Sequence, residues 1–202
     1  FTSDSNDINR QLPSAKIIGT DFDPKIIEMK YQTSVLAKNG KIYAAPSWSH
    51  QVLEIDPTED EVTTNLIGED LGNVMYKYST SVLAGNGKIY AAPLSANKVL
   101  EIDPTGNKVT TTLIDTDLDI GADKYRTSVL AGNGKIYAVP ENAEKVLEIN
   151  PYAERDNEGN DINSETDPTT KLYVTDLGDG IRKYLTSVLA GNGKIYAAPY
   201  YE

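Results

Sequence analysis

Residues 80–93 read T-S-V-L-A-G-N-G-K-I-Y-A-A-P, and the same phrase begins again at Thr33, Thr127 and Thr186. The intervals between the four copies are 47, 47 and 59 residues. A period of this size marks a repeat architecture, in which one unit cannot bury its own faces and is stable only against its neighbours. T-S-V-L-A is rich in β-branched and small residues and reads as a strand. The Asn-Gly pair behind it (Asn39-Gly40, Asn86-Gly87, Asn133-Gly134, Asn192-Gly193) predicts a two-residue hairpin turn with positive φ at both positions. The return strand is K-I-Y-A-A-P, and its proline is expected to stop further ladder pairing.

Working outward, V-L-E-I-D-P at Val52 and Val99, and V-L-E-I-N-P at Val146, supply a third strand. A proline-led turn follows. V-T-T-N-L-I at Val62 and V-T-T-T-L-I at Val109 supply a fourth. No part of the repeat shows apolar spacing of about 3.6 residues, so the units are all-β. Four antiparallel strands in about 40–50 residues describe a β-propeller blade. The expected architecture is a small propeller of four blades, in one domain over 15–202 behind an irregular segment, 1–14. Three blades span about 30–75, 77–123 and 124–182. The fourth combines 183–202 with 15–29, because Ile17-Ile18-Gly19-Thr20-Asp21-Phe22 resembles the outer strand and exit at Leu66-Ile67-Gly68-Glu69-Asp70-Leu71. A blade built from both termini ties a ring shut and removes open sheet edges. Residues 1–14 lack a V-L-E-I-D-P strand, which leaves two alternatives to self-closure: a piece of a longer array, or chains that complete each other's blades. Near-identical blades can pair with another chain at little energetic cost, so self-association through the split blade is a further expectation.

The net charge of −11 argues against nucleic acid, whose binding depends on Lys and Arg neutralising phosphates. No apolar run approaches the length of a membrane-spanning helix. The chain has no cysteine, hence no disulfide and no thiolate metal site. It begins with Phe1, as a processed or incomplete sequence would, and processing points toward an exported protein.

The first-to-second and third-to-fourth turns lie at one end of a propeller, and the second-to-third loops and blade connections at the other. At the second end the copies diverge, and loops on a rigid scaffold are where binding resides. Candidate ligand residues there are Gln32 and Arg126, which follow the repeated Lys-Tyr, with Trp48, His50, Asn97, Glu141, Tyr200 and Tyr201 in the loops. Trp48 suits stacking on a sugar or anchoring a protein partner, or it packs over the adjacent blade. His50 is the one histidine, and no nucleophile elbow, phosphate loop or metalloprotease motif is present.

Each blade opens on Lys-Tyr: Lys30-Tyr31, Lys77-Tyr78, Lys124-Tyr125 and Lys183-Tyr184. Four lysines around a channel mouth could focus positive potential on an anion. An aspartate follows each outer strand (Asp21, Asp70, Asp117, Asp176), and a structural role capping the connection or pairing with the lysines is the favoured reading. Asp115, Asp117 and Asp119 alternate as calcium ligands do, but Gly121 stands one place late and Arg126 replaces the bidentate glutamate. No cofactor is expected, with calcium the exception to test.

The phrases V-L-A-G-N-G-K-I-Y-A-A-P and V-L-E-I-D-P-T-G-N-K-V resemble blades of the NHL, kelch and YVTN group of propellers. They are most similar to VLAxNGKIYxxP…VLEIDP repeats of uncharacterised algal and protist proteins. The resemblance implies a fold and carries no catalytic residues with it. The leading expectation is a non-enzymatic binding or assembly module with a protein or glycan partner. The alternatives are a secreted carbohydrate-binding propeller and a metal-dependent lactonase-like hydrolase.

Overall fold

The computed structural model describes residues 29–58, 60–114, 118, 121–152, 168–174, 177 and 180–201. Every regular element among them is a strand. β1 (Val35–Leu36), β2 (Ile42–Ala44), β3 (Val52–Asp56) and β4 (Thr63–Ile67) form the first sheet. β5 (Val82–Leu83), β6 (Ile89–Ala91), β7 (Val99–Asp103) and β8 (Thr110–Ile114) form the second. β9 (Thr127–Leu130), β10 (Ile136–Val139), β11 (Lys145–Asn150) and β12 (Thr169–Val174) form the third. β13 (Val188–Leu189) and β14 (Ile195–Tyr196) pair as the first two strands of a fourth. All pairings are antiparallel and run in chain order, so each sheet is a blade and the fold is a small all-β propeller. Residues 1–28, which hold nearly all of the 15–29 segment expected to complete the fourth blade, lie outside the described residues, as do most of the blade-three insert and Asp115, Asp117 and Asp119.

The Asn-Gly turns differ from the two-residue expectation. Gly40 has φ +82°, but Asn39 is not among the residues with positive φ. Ala37 N–H donates to Lys41 O at 2.9 Å and Gly40 N–H to Ala37 O at 3.1 Å, a three-residue loop with the glycine in the left-handed region. Asparagine is used for its side chain: Asn39 Oδ1 accepts from Lys41 N–H at 3.1 Å while its amide donates to Tyr43 Oη at 3.0 Å. The prolines also behave otherwise than expected. Tyr31 bridges Pro46, Tyr78 bridges Pro93 and Tyr184 bridges Pro199. Pairing resumes one residue beyond, with Ser47 N–H donating to Lys30 O at 2.9 Å. Proline lacks only its own donor, and these bridges are carried by its neighbours.

Strand alternation gives every sheet two apolar faces, and the blades stack face to face. On one side of the first junction are Tyr43, Val52 and Val35, and on the other Ile89, Leu100, Ile102 and Leu83. The second junction repeats the set one blade on: Tyr90, Val99 and Val82 against Ile136, Leu147, Ile149 and Leu130. Polar ties accompany the packing. Lys77 N–H donates to Ser47 O, Lys124 N–H to Leu94 O and Lys183 N–H to Glu141 O, so each blade's entry is fastened to the preceding blade's second-to-third loop. At the other end Asn86 Nδ2 reaches Pro151 O of the next blade at 2.9 Å, as Asn39 Nδ2 reaches Pro104 O at 3.5 Å.

Candidate functional site on the variable loop face

The blade connections and the second-to-third loops meet at one end of the fold. Each connection passes through a residue in the left-handed region: Met29, Tyr76, Asp123 and Arg182, with φ of 41°, 55°, 55° and 54°. A non-glycine residue there stores strain that the surrounding packing must hold. The lysine that follows does part of that holding. Lys77 Nζ donates to Gly72 O at 2.9 Å and Val74 O at 2.8 Å, Lys124 Nζ to Gly121 O at 2.5 Å, and Lys183 Nζ to Gly180 O at 2.7 Å. All three lysines are buried. Burial pulls the pKa of Lys77 and Lys124 below the ordinary lysine value. These ammonium groups therefore bind the backbone of their own connections instead of facing a channel.

The tyrosines beside them are pegs of the same kind. Tyr78 and Tyr125 are buried and donate their hydroxyls to Lys98 O at 3.0 Å and Lys145 O at 2.8 Å. Burial raises the Tyr78 pKa far above its usual range. Tyr31 Oη lies 2.8 Å from Ser49 Oγ and donates to Gln51 O at 3.0 Å. Tyr184 is half-buried at the fourth blade's entry, bridged to Pro199.

The residues after Lys-Tyr vary between blades, and at Gln32 and Arg126 the variation has partners. Gln32 Nε2 donates to Ser47 Oγ at 2.9 Å, and Ser79 Oγ donates to Gln32 Oε1 at 3.0 Å, linking the first two blades. Arg126 grips Glu141 through Nε–Oε2 at 3.0 Å and Nη2–Oε1 at 3.1 Å. Glu141 is only 2% exposed. Such a two-point guanidinium–carboxylate pair fixes both side chains. Sequence alone located these positions but not their pairing, because position 32 meets 47 and position 126 meets 141 only once the hairpin folds.

Trp48 is half-buried and meets the Tyr76 ring edge-on, with centroids 5.2 Å apart at 88°. His50 Nδ1 lies 3.2 Å from the Asp70 carboxylate. Asp70 Oδ1 also accepts from Gly72 N–H at 2.7 Å. The Gly72 amide and then His50 hold the Asp70 pKa below the ordinary carboxylate value. Of the four repeated aspartates this is the one described, and it caps its connection. Val74, Met75, Ile181, Tyr200 and Tyr201 are exposed in these same loops, and the last two rings contact each other edge-on at 4.9 Å. A cleft of about 210 Å³ opens between the second and third blades, lined by Leu118, Lys124, Tyr125, Ala143, Glu144 and Leu172 among others. Its counterpart of about 220 Å³, one blade earlier, includes Leu71, Lys77, Tyr78, Ala96, Asn97 and Leu113. Among the described residues no three metal-ligating side chains come together.

No protein-family model and no curated protein matches the chain. Solved structures do. A catalytically inactive histidine-to-alanine variant of virginiamycin B lyase from Staphylococcus aureus, with quinupristin, is similar at TM-score 0.55 and 12% identity over 86% of this chain and 51% of that one. A streptogramin B lyase is similar at TM-score 0.56 and 13% identity over 88% and 51%. A putative 6-phosphogluconolactonase from Bacteroides uniformis is similar at TM-score 0.55 and 15% identity over 82% and 46%. The chain thus spans about half the length of these structures. The likeness establishes a β-propeller fold and does not extend to the NHL, kelch or YVTN group in particular.

Proposed function

We propose that the chain is a binding module that presents its variable loop face to a protein partner. The observation that carries this reading is the set of exposed apolar side chains in the loops of that end: Val74, Met75, Ile181, Tyr200 and Tyr201, with Trp48 partly buried against Tyr76. Aromatic residues, methionine and arginine are enriched where proteins dock, and lysine is depleted. At the Asn-Gly end Lys41, Lys88 and Lys135 are each engaged with a carboxylate. Arg126 is held in place by Glu141, so its contact with a partner costs little further ordering. The charge of −11 would steer a basic partner toward the chain.

A photo-crosslinking residue at Met75 tests the reading against one at Lys194 on the opposite end. Recurrent protein adducts from position 75 alone are expected, and their loss on adding Trp48→Ala and Tyr201→Ala. Equal adducts from both ends, or none, would count against it.

One observation favours an enzymatic reading, the His50–Asp70 contact on this same face. An aspartate that orients a histidine is the usual means of holding a general base. In the lyase relative the inactive form is a histidine-to-alanine variant. Quinupristin and 6-phosphogluconolactone are the first compounds to offer. Turnover that disappears in His50→Ala would replace the binding reading with this one.

A further inference from the structure

The connection between the first and second blades carries two local costs at its far end. Tyr76 sits in the left-handed region at φ 55°, and the Trp48 ring that meets it has a buried indole N–H with no partner among the described residues. Both must be offset by other contacts. Lys77 Nζ holds Gly72 O and Val74 O from beneath. At the near end Leu71 N–H donates to His50 O at 2.8 Å, and the Asp70 carboxylate accepts from Gly72 N–H at 2.7 Å while lying 3.2 Å from His50 Nδ1. The elements around His50 bring several titratable groups: Lys30 and Tyr31 from the inner strand, Glu69 and Asp70 from the connection, and Lys77 from the next blade's entry. The Tyr31 hydroxyl is engaged by Ser49 and Gln51, and Asp70 is the group that reaches the ring. One repeat of 47 residues further on, and again after two, Asn97 and Glu144 take the place of His50. Neither can gain a positive charge, so this tie is particular to the first blade.

We infer that His50 and Asp70 form a pH-dependent latch on residues 70–76, tight when the imidazole is protonated, and that the latch governs how firmly Val74 and Met75 are presented for docking. The control of docking rests on the binding reading; the latch itself does not. Histidine changes charge between about pH 5 and 8. The chain has one histidine and no cysteine, so no other side chain of ordinary pKa does so in that window. Asp70 stays ionised throughout, because the Gly72 amide and then His50 hold its pKa below the ordinary carboxylate value. At the lower pH the contact is a charge-assisted hydrogen bond between imidazolium and carboxylate. At the higher pH a neutral contact remains, and the costs at Trp48 and Tyr76 are offset less. The connection is therefore tighter at the lower pH. Both side chains reach solvent, 32% and 67% exposed, which keeps the effect to a few-fold.

Amide hydrogen exchange on the full chain, read as protection factors so that the intrinsic pH dependence drops out, is the test. Protection of the Leu71 and Gly72 amides is expected to fall about two- to fourfold between about pH 5.5 and 8, the size an exposed ion pair gives. The Lys124 amide, bonded to Leu94 O at the next junction, should hold steady. His50→Gln keeps an amide within reach of Asp70 but takes no charge, and should lose the step. Asp70→Asn still offers an acceptor to Gly72 and should lose it as well. A wild type without the step, or both variants with the same step, would overturn the latch. The crosslinker at Met75 reads the control of docking: adducts should be more abundant at the lower pH, and His50→Gln should abolish the difference. Equal yields at both pH values beside an intact exchange step would overturn that control. No adducts at either pH beside the same step would sink the binding reading and leave the latch standing.

Discussion

Tyr43 donates its hydroxyl to Glu54 Oε2 at 3.0 Å, joining the second strand of the first blade to the third. The same carboxylate takes Lys41 at 3.3 Å and Asn65 at 3.3 Å, and Lys41 also reaches Asp56 at 2.8 Å. Glu54 is 5% exposed, so a charge has been moved out of water and matched by donors from the turn, the return strand and the outer strand. In the first blade the asparagine thus holds the tyrosine, and the tyrosine and lysine hold the glutamate; the second blade repeats the Asn86–Tyr90 and Lys88–Glu101 contacts. The third blade departs from this plan at two positions. Asn150 replaces the aspartate, and Lys135 is paired with Glu148 at 2.8 Å while Tyr173 adds a bond to the same carboxylate at 3.0 Å.

Removing single members of that network should have unequal costs. Tyr43→Phe deletes one donor and is expected to lower stability by about 1 kcal/mol. Glu54→Ala strands the tyrosine hydroxyl and leaves a cavity, and should cost about 2–3 kcal/mol. Urea unfolding midpoints of the two variants decide the order; equal losses would mean that the glutamate is not the hub.

The strands were legible because their signals are local: β-branched runs, glycine at a turn, proline at its exit. The turn type was not, since Asn-Gly serves both the two-residue loop and the three-residue loop with a left-handed glycine, and only the backbone of Asn39 distinguishes them. The lysines misled for a different reason. A lysine is rarely buried, and nothing in K-Y shows that Lys77 folds back onto Gly72 and Val74. Arg126 and Glu141 were each picked out singly, and their ion pair emerged only from the hairpin that brings them together.

Acid should weaken the first blade before the third at this position. The Lys41 ammonium, then the Thr58 hydroxyl and amide, hold the Asp56 carboxyl at about 2, below its ordinary 3.8. A depressed carboxylate stabilises the fold above the unfolded value and loses that contribution as pH falls through the folded one. The window is therefore pH 3.8 down to about 2. Asp56→Asn, which mimics Asn150, should flatten the stability profile across that window. An unchanged profile would show that the carboxylate carries no linkage.

Among the glycines of the Asn-Gly pairs, Gly87 has the least room to change. Its φ is +86°, and a Cβ there would sit 3.0 Å from Thr105 Cγ2. Gly87→Ala is expected to cost about 1–2 kcal/mol from the left-handed backbone alone, and Gly87→Asn less, because asparagine tolerates that region. Thermal unfolding of the pair measures the difference. If the alanine variant matched wild type, the backbone would have to have left the left-handed region.

Lys77 separates an anion site from a structural peg. It is 1% exposed, and its ammonium satisfies two carbonyls of the strained connection around Tyr76. Lys77→Met keeps the length of the side chain but orphans both acceptors, and should destabilise the fold by about 2 kcal/mol. Hydrogen exchange should rise in residues 72–76. The destabilisation should be the same with and without inorganic phosphate, since no charge is withdrawn from a channel. Burial lowers the Lys77 pKa, so the unfolded chain keeps that proton to higher pH than the folded one. This lysine's contribution to stability therefore rises as pH climbs from its folded pKa toward 10.5, and Lys77→Met should abolish that rise. A phosphate-dependent loss in the variant would instead return Lys77 to the channel mouth.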